Sequence, residues 1–137
     1  MAPSIKPFLM YQKADCEEAM NFYIDAFATG QILSMTKYGK DSEYPEGTVE
    51  RATFELGTAS GDTLTLMAID SPPMHKFDFT PSSSLFVEVK DEAEFDGLIG
   101  KLAEGGEYLL PVDKYPWGQK FAWFNDRFGV SWQVNLA

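Results

Sequence analysis

Pro7-Phe8-Leu9-Met10-Tyr11-Gln12, followed by Asp15-Cys16-Glu17-Glu18, is matched later in the chain by Ser84-Leu85-Phe86-Val87-Glu88-Val89, followed by Asp91-Glu92-Ala93-Glu94. Each pair joins an apolar, strand-like run to Asp-x-x-Glu, a capping-box-like helix start in which Asp accepts from early amides. Apolar residues then recur at helical spacing in both halves. The first helix offers Ala19, Met20, Phe22, Tyr23, Ala26 and Phe27; the second offers Phe95, Leu98, Ile99 and Leu102. Gly30 is expected to end the first helix and Gly105-Gly106 the second.

Working outward, each helix is followed by three short β-rich runs separated by turn residues. They are Gln31 to Tyr38, Glu50 to Leu56 and Thr63 to Ile69, then Tyr108 to Val112, Lys120 to Asn125 and Ser131 to Leu136. Both halves therefore read strand–helix–strand–strand–strand, and the agreement of cap, helical period and strand count predicts a duplication. The expected fold is α+β, one domain over residues 1–137. Residues 5–70 form a first βαβββ module and residues 84–137 a second. The joint, 71–83, has turn composition (Pro72-Pro73, Thr80-Pro81-Ser82-Ser83) but also holds Met74, Phe77 and Phe79, which suits packing rather than free linkage.

The chain of 137 residues is large enough to bury a core without staples. A net charge of −10 argues against nucleic acid and anionic membranes as partners, because phosphate binding needs a positive field. The one cysteine, Cys16, permits no intrachain disulfide, and Glu17 and Glu18 beside it oppose a reactive thiolate. No apolar run reaches the ~20 residues of a membrane span and none at the start has signal-peptide character, so a cytoplasmic location is expected.

Lys6-Pro7-Phe8-Leu9-Met10, Glu18-Ala19-Met20-Asn21-Phe22-Tyr23, Tyr38-Gly39 and Asp126-Arg127-Phe128-Gly129-Val130-Ser131-Trp132-Gln133-Val134 carry a resemblance that spans nearly the whole chain. The sequence resembles the vicinal oxygen chelate superfamily of glyoxalases, bleomycin-resistance proteins and extradiol dioxygenases. Within it, the sequence is similar to the PhnB-like branch labelled "3-demethylubiquinone 3-methyltransferase-like". The resemblance implies two βαβββ modules curled into an incomplete barrel around a cavity, and a homodimer. It also implies, for the enzymes, a divalent metal held by His, Glu or Gln on the first and last strands of each module, acting as a Lewis acid.

Counted back from the helix caps, the first-strand ligand positions fall on Phe8 and Ser84, and the last-strand position of the second module on Gln133. The first-module counterpart lies within Leu64 to Met67. Phenylalanine and leucine cannot bind such a cation, serine is a poor ligand, and Gln133 alone is not a site, so no metal and no other cofactor is expected. The methyltransferase label meets a similar objection, since the common class needs a glycine-rich strand-to-helix loop that this chain lacks.

Strand alternation turns Phe8, Met10 and Gln12 of the first module, and Ser84, Phe86, Glu88, Ser131, Gln133 and Asn135 of the second, away from the helices. With Trp123 they would make an apolar pocket with a few polar fixtures, which suits a small organic molecule. Two residues are candidates for catalysis. Glu88 would serve as a base or bind a cationic group if buried among apolar neighbours. His75, the sole histidine, has a free pKa near neutrality but sits beside Lys76 in the joint. Lys114-Tyr115-Pro116-Trp117-Gly118 is an aromatic loop, a candidate lid or interface. The leading reading is a metal-independent small-molecule-binding protein. The alternatives are a lyase, isomerase or oxygenase of the superfamily, and an interaction module whose barrel is plugged by Phe8, Phe86 and Trp123.

Overall fold

The computed structural model describes residues 3–137. Ten elements follow in order: β1 (Phe8–Tyr11), α1 (Cys16–Ala26), β2 (Thr29–Lys37), β3 (Val49–Gly57), β4 (Thr63–Asp70), β5 (Leu85–Val89), α2 (Glu92–Leu102), β6 (Glu107–Tyr115), β7 (Gly118–Asn125) and β8 (Ser131–Leu136). They form two open four-stranded sheets, ordered β1-β4-β3-β2 and β5-β8-β7-β6. In each sheet the first strand runs parallel to the last and the other pairings are antiparallel. The α+β class and the duplicated βαβββ order are those expected from the sequence. The chain divides into two compact units. One runs through Gly57 and resumes over Asp62–Lys76; the other takes Thr58–Gly61 and Phe77–Ala137. Among the described residues no helix is long and apolar enough to cross a membrane.

In the first unit, α1 turns Cys16, Ala19, Met20 and Tyr23 into the core. They meet the inward residues of the sheet, Phe54, Leu66 and Ala68, all without measurable exposure. Tyr23 stacks on Phe54 with centroids 6.4 Å apart, and its hydroxyl lies 3.0 Å from that of Tyr11 on β1. The expected cap fails here. Asp15 makes no side-chain capping bond. Its place is taken by Asp70 at the end of β4, whose Oδ1 accepts from the Cys16 amide at 3.0 Å and whose Oδ2 accepts from the Val49 amide at 2.8 Å. A buried carboxylate thus ties the helix start to β3 and β4.

Burial raises the Asp15 carboxyl above its ordinary value of 3.8, with the Asp70 and Glu18 carboxylates adding to the rise. A raised pKa means that the neutral form is the one the fold prefers, so this contribution is full below 3.8 and lost as pH rises through the folded value. Asp15→Asn is therefore expected to raise the melting temperature at pH 7 by about 1–3 °C, with no advantage at pH 3. Equal gains at both pH values would show that charge is not the cause. Cys16 is fully buried, and desolvation together with Asp70, Asp15 and Glu17 pushes its thiol well above the ordinary 9.0. A disulfide reagent at pH 8 should find no reactive thiol in the native protein and one in guanidinium; prompt native reaction would contradict the burial.

Gly30 does not end α1. The helix stops at Ala26 as Phe27 turns extended, and Gly30 lies inside β2 opposite Leu56. A side chain there would press on Glu55 O and Ile24 Cα, both 3.2 Å from its Cβ, so the glycine lets the strand pass close to the helix.

The second unit keeps the local cap. Asp91 accepts from the Glu94 amide at 3.2 Å. Phe95, Leu98, Ile99 and Leu102 of α2 are buried, as are Val87, Val89, Ala122, Phe124, Trp132, Val134 and Leu136 of the sheet. After Ala103 the chain turns through Gly105, left-handed at φ +76°, as glycine permits. A second buried carboxylate organises the β7–β8 turn. Asp126 Oδ1 accepts from the amides of Phe128 and Val130 at 2.8 and 3.0 Å, and Oδ2 from the Trp132 indole N–H at 2.9 Å.

Candidate functional site

With one face of the second sheet closed by α2, the residues of opposite parity lie on its other face. The register sets Phe86 beside Gln133 and Glu88 beside Asn135, then Gln133 beside Trp123 and Asn135 beside Phe121. Three hydrogen bonds link these neighbours. Gln133 Nε2 donates to Ser84 Oγ at 2.7 Å, Trp123 Nε1 to Ser131 Oγ at 2.9 Å, and Asn135 Nδ2 to Glu88 Oε2 at 3.2 Å. Of the residues singled out from the sequence, Ser84, Phe86, Glu88, Trp123 and Gln133 are thus brought together on one surface. Phe86 remains 55% exposed and Glu88 is exposed too. Burial among apolar neighbours, the condition under which Glu88 was expected to act as a base or bind a cationic group, is not met. Instead Glu88 is an oriented anion beside an open aromatic ring.

The aromatic part is larger than alternation alone suggested. Lys114 to Gly118 is not a loop of its own: β6 and β7 extend to Tyr115 and Gly118, leaving a two-residue turn at Pro116-Trp117. Trp117 stacks on Tyr115 (5.2 Å, 12°), and both meet the edge of buried Phe121, at 5.3 and 5.6 Å. Phe86 meets the same ring in a tilted contact, with centroids 6.4 Å apart. Trp117 is 54% exposed. Asn135, only 3% exposed, holds its Oδ1 without a partner, close under Gly118.

The first unit places its candidates differently. Phe8, 51% exposed, and half-buried Met10 share the face of β1 turned from α1, beside Met67 and Ile69. Gln12 lies beyond the end of β1, where its Oε1 accepts from the His75 amide at 3.3 Å. His75 Nε2 lies 3.4 Å from Ser71 Oγ. Gln12 and Ser71, but not His75, line a cleft of about 260 Å³ with Lys13, Ala14, Tyr44, Pro72 and their neighbours. Ala14 there takes a left-handed φ of +59°, uncommon for a residue with a side chain. Tyr44 packs on Tyr38 at 4.4 Å, so the loop from Lys40 to Gly47 is anchored rather than wholly solvated.

A divalent metal of the superfamily kind does not fit these residues. The parallel registers pair Phe8 with Met67 and Phe86 with Gln133. Phe86, not Ser84, is therefore the counterpart of Phe8: the β1–α1 link is two residues longer than the β5–α2 link, and counting from the caps slips by that amount. The first pair offers no oxygen or nitrogen, and the second offers one amide already bonded to Ser84. Nor, among the described residues, do three His, Cys, Asp or Glu side chains gather as they would around an ion. The strand-to-helix links, Gln12 to Asp15 and Lys90-Asp91, contain no glycine to admit a nucleotide-like methyl donor.

A family model described as 3-demethylubiquinone-9 3-methyltransferase matches residues 3–135. Among solved structures, a PhnB protein from Bacillus cereus is 42% identical, with 98% of this chain and 99% of that one aligned at a TM-score of 0.86. A protein from Pseudomonas aeruginosa is 31% identical, with 98% of each chain aligned at 0.78. A glyoxylase/bleomycin resistance protein/dioxygenase domain from Frankia, 16% identical, covers 100% of this chain and 98% of its own at 0.63, a likeness of fold. No curated protein matches.

Proposed function

The chain belongs to the PhnB-like family described as 3-demethylubiquinone-9 3-methyltransferase, on the glyoxalase/bleomycin-resistance fold, and from that premise we propose that it binds a small organic molecule without a metal. The observation that supports this is the single surface carrying Phe86, Trp123 and Trp117 with Ser84, Glu88 and Gln133 as polar fixtures. An apolar wall with few oriented polar groups is how small-molecule sites are built. The family description speaks of methyl transfer, but the glycine-free links above give no support to that chemistry here. On the same reading the protein works as a cytoplasmic homodimer.

The test is a fragment screen by thermal shift and by NMR of the tryptophan indole N–H signals. A ligand that moves the Trp117 and Trp123 signals, and loses affinity by about tenfold or more in Glu88→Ala or Gln133→Ala, is the expected result. Ligands indifferent to both substitutions would sink the pocket assignment. In parallel, Zn²⁺, Ni²⁺, Mn²⁺ and Fe²⁺ should leave the melting temperature unchanged; a saturable shift would show a bound ion and revive the superfamily's metal chemistry.

A second reading, an enzyme using Glu88 as base despite its exposure, draws on one observation: Asn135 orients that carboxylate. Turnover of a ligand, lost in Glu88→Gln while binding persists, would favour it.

A further inference from the structure

This inference rests on the second-sheet site and names the class of ligand it takes. We propose that the site binds an organic cation, its charge at Glu88 and its apolar part against Phe86 and Trp117.

The surface around Glu88 combines aromatic rings with a second acidic residue. Phe86 stands two residues before it on the same strand face, half exposed. Phe121 lies two strands across in the same row, through Asn135, and Asp113 is the next residue in that row, exposed and also acidic. Among the described residues no lysine or arginine forms an ion pair with Glu88. Lys120, on β7 two strands from Glu88, is committed to Glu92 and Asp96 of α2 and lies over the Phe95 ring, on the helix side. Lys90, two residues beyond Glu88, is exposed past the end of β5. The exposed carboxylate therefore faces solvent with none of the described cations of this chain paired to it. Open aromatic faces attract cations through the ring quadrupole, and more so beside a fixed negative charge.

Asn135 strengthens the case. It is buried, and its NH₂ group donates to Glu88 Oε2 while its own Oδ1 lacks a partner. Turning the amide over would place oxygen against the carboxylate, so the orientation seen favours Glu88 as an acceptor. A buried polar atom left unsatisfied usually marks a constraint imposed by something nearby. Here that is the fixing of the Glu88 carboxylate. Gly118 makes room for it, since any side chain there would collide with the Asn135 amide. Asn135 is thus a positioning residue, and Glu88 the group that touches the ligand.

The experiment uses three probes of one shape: benzyltrimethylammonium, benzyl alcohol and phenylacetate, each titrated by calorimetry and by indole N–H shifts. The cation should bind at least about tenfold more tightly than the alcohol, and phenylacetate should be the weakest. Glu88→Gln should remove that preference by weakening the cation about tenfold or more; Trp117→Ala should weaken both the cation and the alcohol. Asn135→Ala should reduce the preference and narrow its dependence on salt. Equal affinity for cation and alcohol would overturn the cation class but leave the small-molecule site standing. A preference that survives Glu88→Gln would also overturn the proposal. No binding of any probe, with the Trp117 signal unmoved, would overturn both this inference and the reading it rests on.

Discussion

Asp126→Ala is expected to destabilise the protein by about 3–5 kcal/mol, because three N–H groups, two of them buried and that of Phe128 partly so, lose a charged acceptor at once. Bonds to a charged group contribute about 1.5–3 kcal/mol each, and a donor left dry adds a desolvation penalty. Against a total stability of about 5–15 kcal/mol, that is a large share. The melting temperature should fall by about 10–15 °C for a chain of this size. Tryptophan emission should report the change, since Trp132 loses its indole partner. Asp126→Asn should fall between the two: its oxygen can serve the Phe128 and Val130 amides, but its NH₂ would face the indole N–H. A loss below about 1 kcal/mol in the alanine variant would show that other acceptors replace the carboxylate.

Asp70→Ala should be nearly as damaging, by about 2–4 kcal/mol, because the amides of Cys16 and Val49 lose their acceptor and α1 loses the negative charge at its start. A melt followed by circular dichroism measures the loss. Cys16 offers a second readout, since its thiol should then be modified by a disulfide reagent under conditions where the parent is inert. The Tyr38 hydroxyl bonds to the backbone oxygen of residue 70, so that contact survives the substitution. Unchanged melting and an inert thiol would mean that Asp15 can take over the cap.

The fold was readable because its determinants are local. Apolar spacing placed both helices, and alternation in β5 sorted Val87 and Val89 from Phe86 and Glu88 correctly. What escaped was set by contacts distant in sequence. Nothing near Asp15 shows that Asp70 will cap α1 in its place. Gly30 resembles a helix stop and is a close-approach glycine in a strand, a distinction that depends on Ile24 and Glu55 being nearby. Counting from the caps could not reveal the longer β1–α1 link, so Ser84 was aligned where Phe86 belongs. Asp126 did leave a local sign: an aspartate three residues before Gly129, the pattern of a turn closed by its own side chain. In the site, parity grouped Ser84, Phe86, Glu88, Gln133 and Asn135, but it could not foresee the Tyr115–Trp117 stack or the exposure of Glu88.

The two caps also differ in when they can form. Asp91 reaches an amide three residues away, so α2 can complete its first turn as soon as that segment becomes helical. Asp70 is 54 residues from Cys16 along the chain, and its contact requires closing that whole loop, with β4 in place beside β1. The α2 cap is therefore a local contact and the α1 cap a long-range one that waits on the sheet.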